Sequence, residues 1–220
     1  LIYFGDGKTI YSAGGWGDEL WYFHGICHGF KTDECHGIGG EHYVTYADGA
    51  YMIIRAEAVK GVMPNGRPFI DETFLYLDDV LLGLVMWNRG YKIKYVPINA
   101  GLHFANMTTR GSLLSHYVAR SAIALGIVVK TKYSSFIKYL LMSERILGSK
   151  ILCLFNDEFC LRYRGYNDGL RLGNYLKSIL GVLDLYRAPY VKVKPYDIVK
   201  AVFVVRDQVK VTHDMLVGHK

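Results

Sequence analysis

The chain has 220 residues, 51% of them apolar and 21% charged, with a net charge of +6. Those proportions exclude a disordered or collagen-like polymer, and a chain this long can bury a core without a disulfide or metal staple. The charge divides as −4 over residues 1–100 and +10 over residues 101–220, so carboxylates for metal or acid–base work sit in the first half and cations suited to anionic surfaces in the second. The four cysteines are too sparse for a disulfide scaffold, which favours a reducing compartment. The longest uncharged apolar stretch, Ser121 to Val129, lies between Arg120 and Lys130 and falls well short of the ~20 residues of a membrane span. No secretory leader pattern opens the chain. It opens inside an apparent strand, so a further N-terminal part is expected ahead of it.

Leu1–Phe4 and Thr9–Ser12 are β-prone runs around Gly5-Asp6-Gly7-Lys8, a hairpin signal. Residues 13–40, rich in glycine, aromatics, His and Cys, show neither helical nor strand period and predict a long ordered loop. Tyr43–Tyr46 and Ala50–Arg55 predict short strands around an Asp48-Gly49 turn. Ala56–Lys60 predicts one helical turn stopped by Gly61. A helix is expected from Asp78 to Arg89-Gly90, with Leu81, Leu82, Val85 and Met86 as its apolar stripe. Strands follow at Tyr91–Val96 and Ala100–Phe104. From Ser112 to about Tyr186 the pattern is helical and basic, and the tail from Pro189 is β-prone at Val202–Val205 and Val209–Val211. Three segments result: 1–106, a basic amphipathic helical region 107–188, and a C-terminal tail 189–220.

Asp78 and Asp79 open a helix behind an aromatic-rich segment. A helix N-terminus stabilises ionised carboxylates, so one of them suits an anionic base at neutral pH. For Asp-Asp taken alone, two acids merely complementing the helix dipole is the commoner explanation. His103 taken alone is in the same way an ordinary histidine at a strand end.

The ordered set Asp48-Gly49-Ala50, Arg55-Ala56-Glu57, Gly61, Phe69-Ile70-Asp71-Glu72-Thr73-Phe74, Asp78-Asp79, Arg89-Gly90-Tyr91, Tyr95-Val96-Pro97 and His103 resembles the second half of a family-2 glycosyltransferase catalytic domain. The resemblance covers roughly residues 1–110, and the hairpin with Gly14-Gly15 is similar to the rhamnosyltransferase branch. It implies an α/β fold of GT-A type, here lacking its N-terminal nucleotide-binding half, followed by the helical region. It implies a metal-dependent, inverting transfer from a nucleotide-sugar donor to a glycan or lipid-linked acceptor hydroxyl. Asp79 is then the base, Asp78 an orienting acid, and Asp48, Gly49 and Arg55 contact substrate, as does Trp21 from the glycine–aromatic loop. His103 completes a site for Mg²⁺ or Mn²⁺. Leu81 departs from the second acid often found two positions after the pair. The chain contains no Asp-x-Asp, which in this family belongs to the half expected before residue 1. The Gln-x-x-Arg-Trp motif of processive members is also missing from the sequence, which favours single transfer.

Cys27-His28, Cys35-His36, His24 and His42 could bind zinc, but the close C-x₂₋₄-C pairing is not there, and an acceptor-binding loop is the favoured reading. The basic helices suit peripheral contact with anionic lipid or an ordinary solvated face, in equal measure. Localisation is expected in the cytoplasm, at the cytoplasmic face of a membrane. A non-catalytic carbohydrate-binding or scaffold module is the alternative function. Nucleic-acid binding is not expected, because the cations are spread through apolar helices and match no recognition motif.

Overall fold

The computed structural model describes residues 1–104, 112–133, 136–194 and 215–218. They form a mixed α/β arrangement of small sheets and five helices.

The opening hairpin forms as expected from β1 (Ile2–Phe4) and β2 (Ile10–Ser12). Asp6 closes its turn: one carboxylate oxygen accepts from the Lys8 and Thr9 amides at 2.9 Å each, the other from the Thr9 hydroxyl at 2.6 Å. The stretch 13–40 is more ordered than a loop. It holds a hairpin of β3 (Gly15–Gly17) and β4 (Phe23–Gly25) and a 3-10 turn at Thr32–Glu34. Strand β5 (His42–Tyr43) follows, but residues 50–55 form no strand, having no ladder partner, and run as an extended lead into α1 (Ala56–Val62). That helix passes through Gly61 and stops one residue later.

Helix α2 (Asp78–Asn88) starts and stops where the sequence indicates, with Arg89 as C-cap and Gly90 at φ +88°. Its apolar stripe is wider than expected: every residue from Val80 to Trp87 is buried, as in a helix surrounded by core. The predicted strand at Tyr91–Val96 contracts to β6 (Lys94–Tyr95), paired with β5. Strand β7 (Gly101–His103) lies parallel to β1 and sets His103 beside Phe4.

The helical region comprises α3 (Ser112–Val128), a two-residue strand β8 (Val129–Lys130), α4 (Phe136–Leu152) and α5 (Asp157–Leu180). Strand β9 (Leu183–Asp184) pairs parallel with β8, and β10 (Tyr190–Val191) pairs with β11 (Leu216–Val217). The expected strands at Val202–Val205 and Val209–Val211 lie outside the described residues. So does the junction at 106, yet the regions on either side share one core. Leu81, Leu84 and Val85 of α2 belong to the same cluster as Ala124 and Val128 of α3 and Leu172, Leu176 and Leu180 of α5.

Helices α3 and α5 approach closely because α5 presents Gly165, Gly169 and Gly173 on one face. A Cβ at Gly169 would stand 2.5 Å from the Arg120 carbonyl oxygen and 2.9 Å from Ile123 Cβ, and one at Gly173 would stand 2.8 Å from Ile127 Cδ1. The two regions are also joined through Glu19, whose buried carboxylate accepts from the Val193 amide at 2.9 Å and the Tyr186 hydroxyl at 3.1 Å and pairs with Lys132 at 2.8 Å.

All four cysteines are paired, Cys27 with Cys35 and Cys153 with Cys160. The pairing takes all four thiols out of free-cysteine chemistry. It also removes both sulfurs from the zinc alternative, because a disulfide offers no thiolate.

Candidate active site

The site grows from the packing of α2 against the strand-like segment 44–46. Trp87 donates its indole N–H to the Val44 carbonyl at 3.0 Å. Gly83 lets the helix backbone come within contact of Thr45 and Tyr46, where a Cβ would meet the Thr45 carbonyl oxygen at 2.9 Å. This close crossing carries the first turn of α2 to the Asp48-Gly49 turn. There the Gly49 amide donates to Asp79 Oδ2 at 3.1 Å, and the Val80 amide donates to Asp79 Oδ1 at 2.7 Å. Asp48 braces its own turn by accepting from the Ala50 amide at 2.9 Å.

Asp79 is half-buried, and its titration departs from expectation. A helix N-terminus should hold the carboxylate ionised, but the group is pushed up to about 7. Burial is the largest cause, followed by the negative charges of Asp48 and Asp78. The two amide hydrogen bonds pull the other way and lose. Asp48 is raised by burial as well, opposed by its bond from Ala50 and by the charges of His103 and His28.

Three more groups converge that the sequence analysis did not place at this site. Tyr11 projects from β2 on the face opposite Ile10 and Ser12, and its hydroxyl is pushed up by burial and by the charges of Asp48 and Asp79. Its ring meets the His103 ring at a centroid distance of 4.1 Å. His28 Nδ1 lies 2.7 Å from the Tyr11 carbonyl oxygen, and its ring packs against Phe4 and Tyr11. The buried hydroxyl of Tyr46 is raised by burial and then by Asp79 and Asp48. Sequence distance hid Tyr11, His28 and Tyr46, which join Asp48, Asp79 and His103 only through tertiary contacts.

The segment entering α2 is strained. Phe74 and Tyr76 adopt φ of 53° and 63°, which side chains other than glycine rarely take, and both rings are exposed. Tyr76 lies near enough to Tyr11 to raise its hydroxyl further. The Tyr76 ring thus lies near the carboxylate cluster, whereas the Phe74 ring packs against Tyr117 of α3 at a centroid distance of 5.5 Å.

Of the residues expected at the site, Asp48, Gly49, Asp78, Asp79 and His103 are brought together. Trp21 is not an exposed platform. It is 2% exposed and packed with Leu20, Leu141 and Val193 in a separate core cluster, so it has no free face for a substrate. Arg55 is exposed at the N-cap of α1, outside this group of contacts.

A small cleft of about 50 Å³ opens beside His103, between Ala50-Tyr51 and β7. It admits a water or an ion rather than a sugar. A larger cavity of about 230 Å³ lies at the far end of α2, where Arg187 caps the Asn88 carbonyl at 3.0 Å and no carboxylate lines it.

His103 Nδ1 is buried with no hydrogen-bond partner, and an imidazole nitrogen beside the Asp48 carboxylate suits a divalent cation that takes its other ligands from elsewhere. Among the described residues, no set of three or more His, Cys, Asp or Glu side chains converges to hold a metal. No family model, curated protein or solved structure matches this chain.

Proposed function

We propose that the chain carries the acceptor side of a metal-dependent, inverting glycosyltransferase with a GT-A type fold, in which Asp79 is the general base. The observation that carries this reading is the Asp79 carboxylate, half-buried at a helix N-terminus and raised to about 7, where a base is best matched to neutral conditions. Its oxygen takes the proton of the acceptor hydroxyl while that hydroxyl oxygen forms a bond to the anomeric carbon of the sugar nucleotide. The bond from that carbon to the diphosphate breaks, and the electron pair leaves with the diphosphate. One carboxylate and one displacement invert the configuration. Asp78 and Asp48 keep the proton affinity of Asp79 high, and the Gly49 amide fixes its orientation. Asp48 and His103 would hold Mg²⁺ or Mn²⁺, which supplies charge neutralisation for the departing diphosphate. Tyr76, beside Tyr11 and the carboxylates, offers a ring to an acceptor sugar.

Release of nucleoside diphosphate from a panel of UDP-, GDP- and dTDP-sugars, in the presence of Mn²⁺ and simple glycan acceptors, tests the reading. Asp79→Asn is expected to lower release by about 10²–10⁴-fold with thermal unfolding intact. Release that is equal in wild type and variant overturns the assignment of the base. Sugar binding without any release would favour the carbohydrate-binding module instead.

A further inference from the structure

Helix α3 reaches across to the segment that enters α2. Phe74, at φ 53° and ψ −58°, is the centre of a rare three-residue turn, in which the Leu75 amide donates back to the Thr73 carbonyl at 2.7 Å. Two residues later Tyr76 takes φ 63°. A backbone strained twice in so short a stretch persists only where its surroundings over-determine it. Local bonding holds one side: the buried Thr73 donates its hydroxyl to the Ile70 carbonyl at 2.6 Å. The other side is held by α3. The Arg120 guanidinium donates to the same Thr73 carbonyl that closes the turn, and the buried Ser121 hydroxyl donates to the Leu75 carbonyl at 3.3 Å. Tyr117 completes the junction, with the Phe74 ring against it and the Arg120 guanidinium 4.8 Å from its centroid.

Arg120 is a costly tie. Its Nε is buried without a hydrogen-bond partner, and burial holds the guanidinium below the ordinary arginine value. Asp168 of α5 favours its charge from a distance but lies 3.6 Å from His116 Nε2 instead. An apolar side chain of similar length would fill this space without drying a charge. What the guanidinium adds is a directed, charge-assisted bond to one carbonyl. Its own backbone is fixed from behind, because Gly169 of α5 packs against the Arg120 carbonyl. Just downstream of the held turn come Tyr76, near Tyr11, and then Asp79, which accepts from the Gly49 amide. We propose that Arg120, with Ser121, is a positioning residue of the Asp79 site: by holding the turn at Phe74 it sets how α2 enters, and so how Asp79 meets the Asp48-Gly49 turn. The helical region thereby serves the site without touching it. The inference rests on the transferase reading for its effect on rate, and one arm of its test needs no substrate.

That arm is amide hydrogen exchange on the full chain. Arg120→Met is expected to speed exchange of the Leu75 and Gly49 amides by at least about tenfold, while Leu84 and Val85 inside α2 keep wild-type protection. Arg120→Lys, which retains a charged donor, should restore most of the loss. In nucleoside diphosphate release, Arg120→Met should lower kcat by about 10–100-fold and change KM for the sugar nucleotide by less than about twofold. Uniform acceleration of every amide, α2 included, would make Arg120 a stability element only and overturn the proposal. Unchanged exchange at Gly49 overturns it as well, as does release at the wild-type rate. Should Arg120→Met fail to fold, Ser121→Ala carries the same selective pattern at about threefold, with the same overturning results. No release from the wild type would sink the transferase reading, while the exchange pattern would still decide whether Arg120 positions Asp79.

Discussion

The first hundred residues and the helical region treat charge in opposite ways. Around Asp79 three carboxylates are gathered at one turn and partly dried, so that burial and mutual repulsion raise a proton affinity to about 7. In the helices the cations are scattered and mostly wet or occupied: Lys132 pairs with Glu19, and Arg145 lies over the Tyr22 ring at 4.9 Å. A count of charges ranks the second region as the stronger electrostatic feature, yet the first perturbs its groups more at the site. Concentration and desolvation, rather than number, turn charge into chemistry.

The comparison can be broken most sharply through pH. Asp79 binds a proton in the native state that the unfolded chain has already lost between its ordinary value of 3.8 and about 7, so stability falls as pH rises through that window. Asp79→Asn should unfold at higher denaturant than wild type above pH 7, by up to about 4 kcal/mol, and match it near pH 4. Equal stability at both pH values, measured by urea unfolding, would contradict a dried carboxylate cluster. The same substitution is expected to lower transfer by about 10²–10⁴-fold, so stability and activity move in opposite directions.

The next effect tests the seam between the regions. Glu19→Ala strips acceptors from the buried Val193 amide and from the Tyr186 hydroxyl and should cost about 3 kcal/mol, with Glu19→Gln milder. If the regions were held together by the apolar core alone, chemical denaturation would show no loss. Gly169→Ala should cost about 1–3 kcal/mol, because the new Cβ meets backbone at Arg120 rather than a side chain that can swing away. A gain in stability there would mean that helix propensity outweighs the close crossing. The smallest effect lies in the opening hairpin, where Asp6 is held down to about 2, first by the Thr9 hydroxyl and then by the Thr9 and Lys8 amides. Its contribution is present above its ordinary value of 3.8 and disappears as pH falls through about 2, opposite in sign to Asp79. A slight drop in melting temperature for Asp6→Asn at pH 7, vanishing in strong acid, checks it.

Much of the local structure was legible in the sequence. The ends of α2 follow from Asp78 and Gly90, and the first hairpin from Gly5-Asp6-Gly7-Lys8, because these are short-range signals. Segments 50–55 and 91–96 read as strands but lack partners along most of their length, and strand propensity without a ladder is not realised. The cysteine pairing was not legible, since spacing alone does not fix which sulfurs meet. Tyr11 and His28 reach the site only through tertiary contacts. Trp21 misled because aromatics between glycines suit a binding loop as well as a core, and only burial separates the two. The glycines at 165, 169 and 173 were readable as a four-residue repeat on a helix.

The account rests on the proton affinity of one carboxyl group. Titration of the Asp79 side-chain carboxyl carbon by NMR, assigned by its loss in Asp79→Asn, measures it directly. A midpoint near 7 is expected from the dried, mutually repelling cluster. A midpoint near the ordinary value of 3.8 would show that the helix N-terminus dominates after all, and would contradict the proposed base.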